Sequence, residues 1–349
     1  MLLNRPVPVA AAPPTPAARR RELPYLALLL TSCAVLLLLV VLSLMVGARS
    51  VPPDHVWHGL FDFTGTTDDI VVRRVRLPRT LLGLLAGASL GLAGAVMQSL
   101  TRNPLADPGL LGINAGASAA VVTAISFLGV TSLTGYVWFA FLGSGVCAVL
   151  VYLIGGSRSA TPVRLALGGT AVSAALHGYI NSVQLMDSAA LDRLRFWTVG
   201  SLASATSGIV LRVAPFLVVG MVLALALARP LNSVALGDDA ARALGTNLTR
   251  TRAASFLAIT LLCGGATAAC GPIAFVGLMV PHIARSFTGP DLRRLLPQSA
   301  VLAAVLLLGA DLVGRVVVRP AELQAGIVTA LLGGAVFLHL VRRRKVAQL

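Results

Sequence analysis

Charge is scarce in this chain. Only 12% of its 349 residues are Asp, Glu, Lys or Arg, about half the share found in an ordinary soluble domain. Thirteen residues are acidic, and a single one, Lys345, is a lysine. The four cysteines, Cys33, Cys147, Cys263 and Cys270, lie inside apolar segments. None forms a CxxC pair, so they read as buried free thiols, not as metal ligands or a disulfide framework. The five histidines have no metal-ligand spacing. HExxH, the nucleotide-binding GxxxxGK[ST] and the GxSxG elbow are all absent, so the chain carries no ATPase or hydrolase signature of its own.

Hydrocarbon takes the place of these groups. The hydrophobic share is 56% and the mean hydropathy +0.86. A spanning helix needs about 20 mostly apolar residues. Such segments fall at about 24–46, 80–100, 109–129, 134–154, 164–186, 208–228, 252–270, 273–287, 297–314 and 324–341. The pattern predicts an all-α polytopic membrane protein with about ten transmembrane helices. A Pro/Ala-rich, disordered cytoplasmic tail (1–23) precedes this domain (24–341), and a basic cytoplasmic tail (342–349) follows it.

The net charge of +15 would point to nucleic acid in a soluble protein. In a membrane protein basic residues collect in the cytoplasmic loops. Placing both termini in the cytoplasm puts most of them there, in the tail, the inner loops and the terminal "RRRK". The chain is therefore expected in the cytoplasmic membrane, surrounded by lipid and bound to no nucleic acid. One cluster breaks the rule, because "RRVRLPR" (73–79) falls outside.

Several stretches are more specific. "RNPLADPGLLGINAG" (102–116) is polar and broken between two apolar segments, and non-helical backbone at membrane depth must be covered by protein or line a cavity. It reads either as an inner turn with Asp107 capping the next helix or as a constriction at the mouth of a pathway. Gly83, Gly87 and Gly91 recur every four residues, a spacing that lets helices approach closely. Packing within one subunit is the simpler use of that face, a seam between subunits the other. Thr170, Ser173, His177, Asn181 and Gln184 form a polar stripe along one helical face, which either bonds to another helix or lines a cavity. In "LGDDAARALGTN" (236–247), Leu236, Ala240 and Leu244 are expected to share one helical face. Asp238 and Asp239 suit the positive end of the dipole, and Gly245 can end the helix.

The stretch "RLPRTLLGLLAGASLGLAGAVMQSLTRNPLADPGLLGINAGA" resembles the signature of the FecCD family, permease subunits of type II ABC importers for iron-siderophores, haem and cobalamin. "LGDDAARALGTN", "GPIAFVGLMVPHIAR" and "GADLVGRVVVRPAELQAGIVTALLGGAVFL" agree with it. Gln324 and Val336 depart from it, standing where the family usually has proline. The resemblance implies a permease without bond chemistry or a cofactor of its own. Its partners would be a second permease subunit, two cytoplasmic ATPase subunits that hold ATP and magnesium, and an extracytoplasmic substrate-binding protein. It implies a cytoplasmic gate at Asn103 and Leu105 and a pathway lined by the stripe Thr170 to Gln184. ATPase coupling falls to Leu236, Gly237, Ala240, Leu244 and Gly245, and binding-protein docking to Arg76, Arg79 and Arg315. Arg315 could instead pair with Asp311 one turn back. The cargo expected is a ferric siderophore, with haem or cobalamin as the alternative. A different class, an ion-coupled secondary transporter, would also suit ten spans but needs a mid-membrane carboxylate.

Overall fold

The computed structural model describes residues 25–47, 50–130, 132–155 and 162–343. Residues 1–24 and 344–349, which hold nearly all of both expected tails, lie outside the described residues. Among the described residues there are helices and no strand. In chain order come α1 (Tyr25–Met45), α2 (Pro53–Phe61), α3 (Thr67–Ile70), α4 (Leu77–Thr101), α5 (Ile113–Leu128), α6 (Leu133–Ile154), α7 (Pro162–Met186) and α8 (Ser188–Thr198). Then follow α9 (Ser207–Ala226), α10 (Ala228–Ala235), α11 (Asp238–Ala243), α12 (Leu248–Ile259), α13 (Gly265–Cys270), α14 (Val276–Thr288), α15 (Leu292–Val317) and α16 (Ala325–Arg343).

A helix stands at each of the ten expected positions. Six are both long and apolar enough to cross a membrane: Tyr25–Met45, Thr67–Thr101, Gly135–Ile154, Ser207–Ala226, Leu248–Cys270 and Leu292–Val317. The apolar stretches Ile113–Leu128 and Ala325–Leu338 are shorter. Two of the long helices carry a π-helical turn, at Val71–Arg76 between α3 and α4 and at Thr260–Gly264 between α12 and α13. The last helix continues unbroken through Val336, where the expected proline is missing.

Local chemistry sets the ends of the central helix, α4. Upstream, Thr66 and Asp69 form a reciprocal cap that starts α3. Downstream, Arg102 turns into the left-handed region at φ 51 and stops the helix. The stretch after it is non-helical, as its prolines require. Asp107 caps a single 3-10 turn (Pro108–Leu111) through the Gly109 N–H at 2.7 Å, and Gly112 at φ 70 redirects the chain into α5.

From Leu82 onward α4 is almost wholly buried. Its glycine face meets α15 and α14 of the same chain, so these glycines pack within the subunit. A Cβ on Gly87 would lie 2.6 Å from the Ala304 Cα, on Gly91 2.4 Å from the Ser299 carbonyl oxygen, and on Gly94 1.8 Å from the Gly277 carbonyl oxygen. The last contact has a further cause. Pro281 lies inside α14 and has no N–H, which leaves the carbonyl four residues back, that of Gly277, without its helical donor. This freed oxygen faces the bare Cα of Gly94. Beside it the Gln98 side chain donates to the Leu278 carbonyl at 2.9 Å. A second glycine pair, Gly116 and Gly143, brings α5 against α6 in the same way.

Lipid offers no hydrophobic drive for helix association, so close contact must hold such a seam. Gly91→Ala would push a methyl into backbone that cannot rotate away. Overpacking costs about 1–3 kcal/mol, and the expected outcome is a lowered melting temperature of the purified permease in detergent. An unchanged melting temperature would show that the seam can open.

Candidate translocation site

At the Arg79 end of α4 the structure buries three arginines around one carboxylate. Arg76, Arg79 and Arg315 are only 5%, 6% and 2% exposed, and Asp311 is 1% exposed. Arg79 grips Asp311 with two nitrogens, Nε at 3.1 Å and Nη2 at 2.8 Å, and gives Nη1 to Glu322 at 2.7 Å. Arg315 pairs with the other Asp311 oxygen and donates to the Ser43 and Val46 carbonyls at 2.9 and 3.2 Å. Arg76 donates to the Leu44 carbonyl at 2.6 Å. Two arginines thus tie the end of α1 to α4 and α15 through its unpaired last-turn carbonyls. These three side chains, expected to dock a binding protein, are buried and bonded within the chain, with Arg315 Nε left without a partner among the described residues. The pairing of Arg315 with Asp311 is the one its spacing allowed. The exposed basic groups nearby are Arg73 and Arg74.

The polar stripe lies on α7. Thr170, His177 and Asn181 are exposed, and Ser173 and Gln184 are half-buried. Among the described residues none of the five bonds to another helix: Thr170 donates to the Ala166 carbonyl, and His177 Nδ1 lies 2.7 Å from the Ser173 carbonyl oxygen. Among the described residues the stripe therefore clasps no other helix, and most of its face is exposed. Tyr179, on the same helix, shares a hydrogen bond with Thr123 of α5 at 2.7 Å. At its other edge α7 presses on the broken stretch, where a Cβ on Gly169 would lie 1.6 Å from the Leu110 carbonyl oxygen.

Asn103 and Leu105 sit in the tight turn after α4. The Asn103 side chain accepts from the Leu105 N–H at 2.9 Å, and the Asn103 carbonyl accepts from Ala106. Asn103 is exposed and Leu105 is 37% exposed. Pro104 and Leu105 face Phe275, Met279, Val336 and Phe337 across a crevice of about 10 Å³, with room for about one water molecule. Phe275 opens α14 at φ 67, a conformation that a bulky residue adopts only under constraint. Its side chain lies directly against Gly333, where an added Cβ would be 2.3 Å from the Phe275 Cβ and 2.5 Å from the ring Cγ.

The stretch 236–245 corrects the expected single helix. Gly237 at φ 110 separates α10 from α11, so Leu236 lies in the junction and does not share a helical face with Ala240 and Leu244. Leu236 and Leu244 are nevertheless both exposed, at 69% and 64%, with Ala240 half-buried between them. Gly245 ends α11 at φ 77. Val234, Ala241 and Leu248 form a small core beneath. Asn232 and Asp291 clasp α10 to the start of α15, with Asn232 Nδ2 to Asp291 at 2.7 Å and the Leu292 N–H to Asn232 Oδ1 at 3.0 Å. The Arg293 N–H and the Asn232 amide hold the Asp291 carboxyl below the usual carboxylate range. No motif in the sequence signalled this clasp.

Among the described residues no group of His, Cys, Asp and Glu is placed to hold a metal ion. The parts assembled are a close-packed membrane bundle, a polar helix face open to one side, and a broken turn beside it. They belong to a membrane transport protein. The model of the FecCD transport family matches residues 35–343, and the chain belongs to that family. It is 47% identical to the ferric enterobactin transport system permease protein FepD of Escherichia coli over 308 residues, 87% of this chain and 91% of the relative. It is 41% identical to the Fe(3+) dicitrate transport system permease protein FecC of the same organism, over 80% of this chain and 86% of that one. A solved metal-chelate type ABC transporter in an inward-facing conformation superposes with a TM-score of 0.80 at 28% identity, covering 92% of this chain and all of the other. The chain is a multi-pass membrane permease.

Two outcomes are expected. A cysteine replacing Asn181 or His177, with the native cysteines removed, should react readily with a water-soluble thiol reagent. A cysteine replacing Leu37, 65% exposed on the apolar α1, should react far more slowly, and equal labelling would refute an aqueous α7 face. Asp311→Asn would leave Arg79 and Arg315 without their shared counter-charge, and breaking a buried pair in this way costs about 3–5 kcal/mol. Thermal unfolding in detergent measures it, and a loss below about 1 kcal/mol, the worth of a surface pair, would show that the network is dispensable.

Proposed function

We propose that this chain is the transmembrane subunit of an ATP-driven importer that carries an iron-siderophore complex across the cytoplasmic membrane. Membership of the family and the ferric-complex names of its relatives support an iron chelate over haem or cobalamin. The observation that carries the pathway is the α7 stripe, polar, largely exposed and, among the described residues, without a bond to another helix. A second permease subunit facing it would enclose a channel. In this reading all ten helices cross the membrane and both termini are cytoplasmic, as the basic loops favour. Asn103 and Leu105 close the inner mouth. Leu236, Gly237, Ala240, Leu244 and Gly245 meet a separate ATPase subunit, which supplies the ATP and magnesium. This chain needs no cofactor. ATP binding and hydrolysis there shift the permease between outward- and inward-facing states.

A substrate-binding protein docks on the outer face. Arg76, Arg79 and Arg315 could meet its carboxylates only by exchanging their internal partners, whereas Arg73, which lies over the Phe63 ring at 5.2 Å, and Arg74 are exposed. An ion-coupled secondary transporter is disfavoured, because Asp311 is committed to Arg79 and Arg315.

Two measurements test the proposal. Proteoliposomes holding the permease with its co-expressed ATPase and binding protein should accumulate radiolabelled ferric enterobactin only when ATP is inside the ATPase-facing compartment. ATP-independent accumulation driven by an ion gradient would overturn it. Leu244→Asp places a charge on the exposed apolar surface offered to the ATPase. The variant should insert normally and lose the co-purifying ATPase subunit, and an intact complex with full transport would remove this stretch from the coupling surface.

A further inference from the structure

One carboxylate joins three elements at the Arg102 end of α4. Asp238, the first residue of α11, pairs through one oxygen with Arg102 and through the other with Arg252 of α12, at 2.7 Å. Arg102 has a second bond in the same direction, from Nε to the Val234 carbonyl at 2.9 Å. Val234 lies in the last turn of α10 and Asp238 at the start of α11, so a single guanidinium spans the break at Gly237 and holds both halves of the α10–α11 element. Partial burial works against the Asp238 charge. The hydrogen bond from Arg102 and the charge of Arg252 outweigh it and keep the carboxyl below its usual range. The neighbouring pair, Asp239 with Arg242, is exposed and lies within α11 alone.

The position of Arg102 gives this bond its meaning. It is the residue directly before Asn103, and its backbone stands in the left-handed region that ends α4. The start of the turn hangs from the last turn of α4, through the Arg102 N–H to the Ser99 carbonyl and the Asn103 N–H to the Gln98 carbonyl, and within the turn the Leu105 N–H bonds to the Asn103 side chain and the Ala106 N–H to the Asn103 carbonyl. Residues 103–106 are therefore held to one another and pivot on the end of α4 at Arg102. A displacement of α10–α11 pulls on Arg102 at two points, and Arg102 pulls on the turn that carries Leu105 against Phe275.

We propose that Arg102 is a positioning residue that, through Asp238 and the Val234 carbonyl, transmits movement of the α10–α11 element to the Asn103–Leu105 turn. The proposal rests on the reading of α10–α11 as the ATPase-facing element and of Asn103–Leu105 as the inner closure. Arg252 serves only to fix Asp238, since it makes no bond to the turn.

The test uses the permease with its co-expressed ATPase in lipid nanodiscs, with native cysteines replaced and a cysteine at Leu105. Labelling by a water-soluble maleimide is timed without nucleotide and after trapping with ATP and vanadate. In the otherwise unaltered complex the two rates should differ. In Arg102→Gln the difference should shrink by about fivefold or more, the lower range of coupling between sites, while the ATPase subunit still co-purifies, because Leu236 and Leu244 remain in place. Arg102→Lys, which keeps the charge at Asp238, should recover part of the response. Arg252→Gln should keep the response, which a merely structural staple would not predict. A full nucleotide response in Arg102→Gln overturns the link while leaving the gate and coupling readings intact. No nucleotide response in the unaltered complex overturns the gate reading and the link with it. Loss of the ATPase subunit in Arg102→Gln would place Arg102 in the docking surface instead, and also overturns the proposal.

Discussion

The structure depends on how closely α4 can approach α15 and α14. In water a helix is driven against its neighbours by the burial of apolar surface, but lipid is as apolar as leucine and supplies no such drive. What remains is dispersion between atoms in contact and weak polar contacts between backbones, both of which fall off steeply with distance. Gly87, Gly91 and Gly94 remove the side chains that would hold the helices apart, and the freed Gly277 carbonyl then meets bare backbone. Neighbours along α15, Ala303 and Ala304, are small for the same reason. Most of α4 is hidden in consequence, and the other helices are arranged around it.

Charge is confined to the two ends of this seam. At one end Asp311 sits between Arg79 and Arg315; at the other Asp238 sits between Arg102 and Arg252. The two clusters differ in burial, and therefore in what they can do. Asp311 and its arginines are almost completely withdrawn from solvent, where an unpaired charge is costly and the pairing is hard to break. Asp238 keeps about a third of its side chain in solvent, so its bonds can be exchanged at modest cost. The first cluster fastens helices together. The second joins α11, α12 and the turn after α4 by bonds that solvent can replace.

Backbone strain falls around the turn that carries Leu105. Arg102 and Phe275 are the non-glycine residues with positive φ among those described, and both stand at the turn and crevice around Leu105. Strained conformations of this kind persist where the surrounding packing holds them, and they accompany sites that switch between states. The crevice between the turn, Phe275 and the α16 face at Gly333 holds about one water molecule, so these parts are packed closely together.

The sequence by itself determined that each of the ten apolar segments is helical, where the chain is broken after α4, which glycines share a face and which face of α7 is polar. These follow from local periodicity, from proline's missing N–H and from side-chain capping, all settled within a few residues. Arg315 with Asp311, one helical turn apart, was within reach of the same reasoning. The tertiary structure alone decided that Arg79 closes on Asp311 across 232 residues and Arg102 on Asp238 across 136. It also decided that the glycine face meets α15, and that Leu236 stands outside α11, which holds Ala240 and ends at Leu244, because Gly237 turns to φ 110. An arginine can pair with any carboxylate that the fold brings within reach. Which one it meets depends on how the helices cross, and no local pattern encodes that.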